Sequence, residues 1–235
     1  MEKEKEVKEE TKEVKSNEPA VTADDIKEGG KDCLEIVKGI FTKPFDVIKK
    51  FAVEKKFLTG VIMIVITAIA NGLCKIATLK NMYGASSSDG FSTAEILSAM
   101  SGNYSGEPDY LEEFFKAFGY GLLEYAAIAV IGYLLITKVL KGKATLKQVV
   151  AMAGVSLTVV ALAFLVNAGL VYIDSEFVSY IRSYITTLGY IFSVAIFYVC
   201  ISELAGIDKN KLFLTVAGAF IAGTAAVDLV QKILE

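Results

Sequence analysis

Residues 149–173 read VVAMAGVSLTVVALAFLVNAGLVYI, and the only strongly polar side chain in the run is Asn167. A helix of about 20 mainly apolar residues spans the hydrocarbon core of a bilayer. A run of this length and uniformity is a membrane span or a fully buried helix. Working outward, four further stretches meet the same length criterion: 57–79, 117–140, 185–207 and 212–230. A soluble chain of 235 residues could not bury five such helices. The expected fold is therefore all-α, a polytopic bundle of five transmembrane helices over 57–235.

The remainder of the chain differs in kind. Residues 1–30 alternate Lys and Glu with almost no aromatic or β-branched content, so they cannot bury enough apolar surface to offset chain entropy, and they read as a disordered, solvated tail. Residues 31–56 carry Leu34, Val37, Phe41, Phe45, Ile48 and Ala52 at helical spacing among lysines. That pattern predicts amphipathic helices at the membrane surface, with Lys49, Lys50, Lys55 and Lys56 as candidate lipid-surface contacts. Pro44 suits the first turn of a second short helix, because its missing donor would be unpaired there in any case. The first residues hold too many acids for a cleaved leader, so the first span is expected to act as the insertion signal.

Composition excludes several function classes. The whole chain has a mean hydropathy of +0.50 and a net charge of -3, from 24 basic and 27 acidic residues, so it lacks the basic surplus that nucleic acid requires. Histidine is absent, and Cys33, Cys74 and Cys200 lie far apart. There is thus no Ser–His or Cys–His pair, no HExxH zinc site and no expected cofactor or metal. Glu112 and Glu113 suit the start of a helix, where carboxylates favour the dipole, and Asp228 has no aspartate partner on a facing span. No catalytic residue is assigned.

Ionisable and amide side chains within spans are the remaining pointers, since each is costly when it faces lipid. Asn71 and Lys75 in the first span, Glu124 in the second, Asn167 in the third and Asp228 in the fifth all fall toward the same end of their helices. Lys75 lies roughly 6 Å and Glu124 roughly 10 Å from that end, from the helical rise. They form a candidate intramembrane polar cluster. One reading is a structural ion pair between Lys75 and Glu124. The other is a channel or transporter cavity lined by Lys75, Glu124 and Asn167. Ala68 with Gly72, Gly218 with Ala222, and Ala219 with Gly223 provide small-xxx-small spacing, compatible with a tight bundle or with homo-oligomers.

Two segments outside the lipid carry a resemblance. FTKPFDVIKKF, before the first span, and GKATLKQVVAMAGVSL, leading into the third, resemble the corresponding stretches of the bacterial branch of the Ypt-interacting-protein (Yip) family, over residues 36–230. The resemblance implies a five-span, non-enzymatic protein of the bacterial plasma membrane. It also implies a role in membrane organisation, trafficking or partner scaffolding, with the bilayer and a cytoplasmic protein as partners.

Orientation follows from lysine and arginine near the span ends. With the N-terminus inside, the inner segments hold eleven lysines, from Lys43 to Lys211, whereas the outer segments hold Lys80, Lys116, Arg182 and Lys232. The N-terminus is expected in the cytoplasm and the C-terminus outside. Single cysteines introduced at 81–109 should therefore react with an impermeant maleimide added to intact cells, and those at 141–147 should react only after lysis; the opposite pattern would reverse the topology.

Overall fold

The structure is a computed structural model that describes residues 22–53, 56–86, 108–173, 175–205 and 209–234. Most of the charged tail and Lys55 fall outside these residues, as does the side chain of Lys49. Among these residues seven α-helices follow in order: α1 (Ala23–Gly39), α2 (Pro44–Val53), α3 (Phe57–Ser86), α4 (Tyr110–Leu134), α5 (Leu146–Leu170), α6 (Glu176–Ala205) and α7 (Lys209–Leu234). The last five are long and apolar enough to cross a membrane.

Local chemistry explains where these helices begin and end. Thr22 accepts from the Asp25 amide while the Asp25 carboxylate accepts from the Thr22 amide, a reciprocal cap that starts α1 at Ala23. The helix thus begins inside the segment that composition alone assigns to the solvated tail, because a cap is a two-residue signal that average composition hides. The Asp25 carboxyl is held below its ordinary range by the Thr22 hydroxyl. α2 begins at Pro44 as the sequence predicts. Asp109 caps α4, with Glu112 and Glu113 in its first turn, and Thr145 with Gln148 caps α5. α4 finishes in a π-helical turn, Leu135–Val139, after which Lys141 adopts a left-handed φ of 55° that turns the chain toward α5.

α5 is the axis of the bundle. It is buried along most of its length and packs on α3, α4 and α6, while α7 lies against α4 and α6. Its uniform apolarity, which leaves no polar face for solvent, is what a helix enclosed by its neighbours requires. The peripheral helices turn residues such as Ile191, Phe213 and Ile221 outward, where acyl chains would cover them.

Among the described glycines, those between α3 and α5 meet the most backbone at close range. A Cβ on Gly154 would lie 2.2 Å from the Gly60 carbonyl oxygen, and one on Gly60 would lie 2.4 Å from Cα of Ala151. Both obstructions are backbone atoms, which cannot rotate away. Among the small-residue pairs noted in the sequence, Gly72 lies against Phe114 and Gly223 against Ile128, but a Cβ on Gly218 would meet nothing within 4 Å. Gly154→Ala should lower thermal stability in detergent by about 1–3 kcal/mol, the usual cost of overpacking, while Gly218→Ala should leave it unchanged. Equal melting temperatures for the two variants would refute the assignment of the α3/α5 contact.

Candidate functional site

At the end of the bundle where α3 terminates and α4 begins, α3 and α7 each pack on α4 but not on each other among the described residues. The wedge between them is a cavity of about 620 Å³. Asn71 and Lys75 line it from α3, Glu113, Lys116, Tyr120 and Glu124 from α4, and Thr224, Asp228 and Gln231 from α7. Four of the five residues in the sequence-derived cluster thus meet in one space. Helical spacing explains why: Thr224, Asp228 and Gln231 recur at i, i+4 and i+7, and Glu113, Tyr120 and Glu124 at i, i+7 and i+11, so each set forms a single stripe.

Asn167 is not among the lining residues. It faces α6, where its amide donates to the Arg182 carbonyl at 3.0 Å and to the Thr186 hydroxyl, and it fastens α5 to α6. The three-residue lining of Lys75, Glu124 and Asn167 is therefore corrected. Depth along an axis is legible in a sequence, but the direction in which a uniformly apolar helix turns its one amide is not.

The expected direct pair of Lys75 and Glu124 is also replaced. The Lys75 ammonium lies 3.7 Å from the carboxylate of Glu113, a residue that the sequence assigned only to helix initiation. Lys116 pairs with Glu112 at 2.7 Å and with Glu113 at 3.4 Å, so Glu113 joins two lysines across the mouth of the cavity. Glu124 instead accepts from the Thr224 hydroxyl at 3.0 Å, which ties α4 to α7. Asn71 donates to the Ala117 carbonyl at 3.1 Å and closes the α3/α4 side. Arg182, read only as a flanking charge in the sequence, donates to the Thr78 hydroxyl at 3.2 Å and links α6 to α3.

A second arrangement of charge lies at the opposite end. α1 rests on α3, and α2 lies across α5 and α6, with Cys33, Ile36, Ile40, Val47 and Phe51 packed around Met63 and Val155. Lys56 donates to Asp32 at 2.9 Å, and the Thr59 hydroxyl donates to the same carboxylate at 3.0 Å. Lys50 donates to Glu35 at 2.8 Å and joins α2 to α1. Two of the four candidate lipid-contact lysines are thus occupied in clamping the hairpin.

The hydrogen bond to Asp32 raises the pKa of Lys56. A raised lysine contributes its stabilisation fully below the ordinary value of about 10.4 and loses it only as pH climbs through the higher folded value, so the clamp is intact across the neutral range. Burial, aided by the charge of Asp32, pushes the Cys33 thiol up to about 11. At neutral pH Cys33 is an unreactive thiol and serves as packing.

A protein-family model, the Yip1 domain, matches residues 38–229. No curated protein and no solved structure matches the chain. The matched region begins near the end of α1 and takes in four of the candidate spans and most of the fifth.

In a thermal-stability cycle, Lys75→Met and Glu113→Gln should be coupled, but by no more than about 1 kcal/mol, because the pair is part-exposed. Lys75→Met and Glu124→Gln should be additive within about 0.5 kcal/mol. Coupling confined to the second pair would overturn the observed geometry.

Proposed function

This chain belongs to the Yip1 domain family, and we propose on that footing that it is a non-enzymatic membrane-organising protein whose α1–α2 hairpin engages the anionic surface of the cytoplasmic leaflet. The family is not known for enzymes. The observation that carries the reading is the composition of the hairpin's outer surface. Leu34, Phe41 and Phe45 are exposed there despite their size, at 62%, 68% and 70% of full accessibility. Lys31, Lys38 and Lys43 line a shallow groove between the two helices, together with Glu35 and Asp46. Among the described residues no carboxylate forms an ion pair with these three lysines.

Apolar tips flanked by cations are the features that hold a helix at the headgroup boundary. Each lysine near an anionic surface adds about 1 kcal/mol. These lysines replace Lys50 and Lys56 as the lipid-facing set, because the latter two serve the clamp. The bacterial plasma membrane, a cytoplasmic N-terminus and an external C-terminus complete the proposal, supported by the excess of lysine in the segments at the hairpin end. A role in trafficking or partner scaffolding would build on a hairpin held at that surface.

The test places a photo-crosslinking phenylalanine analogue at Phe41 or Phe45 of the full chain in native membranes. We expect lipid adducts enriched in anionic headgroups, and their loss when Lys31, Lys38 and Lys43 are changed together to Glu. Adducts formed only with protein would transfer the role of the hairpin to a partner, and unchanged lipid adducts in the charge-reversed chain would refute an electrostatic contact.

A further inference from the structure

The polar cavity at the other end of the bundle does not stop at the inner helices. Between α6 and α7 lies a second hollow of about 630 Å³, lined by Tyr190, Ile191 and Val194 on one side and by Phe220, Ile221 and Ala225 on the other. Glu124, Thr224 and Asp228 line both spaces, so the two hollows meet at these residues. The polar one lies between α3, α4 and α7. The apolar one opens outward, where Ile191 and Ile221 are 57% and 72% exposed on helices whose other outward residues face acyl chains.

Charge at the junction decides what fits. Lys75 and Lys116 are both engaged by Glu113, and Lys116 also by Glu112. Glu124 accepts from the Thr224 hydroxyl and also from the hydroxyl of Tyr190, and it forms no ion pair with a described residue. Asp228 forms no ion pair or hydrogen bond with another described residue, although it lies within a span, where an unpaired ionisable group is costly. The junction therefore presents two carboxylates and a hydroxyl beside an apolar hollow reached from the bilayer.

We propose that this composite site binds a phospholipid whose headgroup carries a primary ammonium, with the ammonium between Glu124 and Asp228 and one acyl chain between α6 and α7. A primary ammonium has three donors for these acceptors, whereas a quaternary ammonium has none. An anionic headgroup would meet like charge. In a bilayer the outward limb, between Ile191 and Ile221, would open onto acyl chains. The site lies at the end of the bundle remote from the hairpin, so this proposal and the hairpin reading stand or fall separately.

The full chain, purified in detergent, should be titrated with phosphatidylethanolamine, phosphatidylcholine and phosphatidylglycerol of matched chains, with retained lipid counted by native mass spectrometry and thermal unfolding followed in parallel. Phosphatidylethanolamine should be retained about tenfold more strongly than the other two, the factor expected from one charge-assisted hydrogen bond at the lower end of its range. It should also raise the melting temperature. Asp228→Asn, on an exposed side chain that leaves the packing intact, should reduce that preference, and Asp228→Asn with Glu124→Gln should remove it. Ala225→Phe, which fills the apolar limb, should weaken retention while the acids remain. Equal retention of the three lipids would overturn the proposal, as would a preference that survives the double substitution. Phosphoethanolamine lacking acyl chains, if it produced the same shift, would mark the site as one for a small soluble amine and would refute the lipid.

Discussion

The contact between Gly60 and Gly154 is the constraint on which the remaining packing rests. In lipid there is no hydrophobic drive that favours helix association over contact with acyl chains, so van der Waals complementarity must hold the spans together. Two backbones that meet without side chains between them maximise it. Because α3 and α5 touch at the end where both begin, α5 is drawn to the centre, and α4 and α6 take up positions on its flanks. α7, excluded from α5, packs on α4 and α6.

That arrangement distributes space unevenly. Where α3 and α5 touch, the end of the bundle is sealed further by the α1–α2 hairpin, whose apolar residues pack over Met63 and Val155 and whose Asp32 binds Lys56 and Thr59. At the opposite end α3 and α7 stay apart, and the gap is lined by polar groups that would be costly against hydrocarbon. Placing them in a cavity allows water or a headgroup to satisfy them. The two ends of one bundle therefore present different chemistry: exposed aromatic residues and lysines on a closed end, and carboxylates within an open one.

Ion pairs in this protein serve assembly more than selectivity. Lys56 with Asp32 and Lys50 with Glu35 hold helices that lie outside the spans, while Glu113 with Lys75 and Lys116 joins α3 to α4 at the cavity mouth. Each pair is partly open to its surroundings, where a salt bridge contributes modestly, and its value lies in fixing the register of a helix against its neighbour. Of the carboxylates that line the cavity, Glu124 and Asp228 lie outside these pairs.

The five spans and their order could be read from residues 57–235 because hydropathy over about 20 residues is a property of composition and length, which the bilayer reads directly. That Asn71 and Lys75 share one side of α3, and that Glu124 and Asp228 lie toward the same end of their own helices, was legible for a similar reason: helical periodicity fixes side and depth along each helix taken singly. Rotation of one helix about its axis against another was not. α5 is apolar all round, so nothing in its own sequence directs Asn167 toward α6 or Gly154 toward Gly60; both are settled by the fit of five helices packed at once. The partner of Lys75 was hidden likewise, because Glu113 and Glu124 recur on one stripe of α4 and only the offset between α3 and α4, set by packing, brings Glu113 within reach.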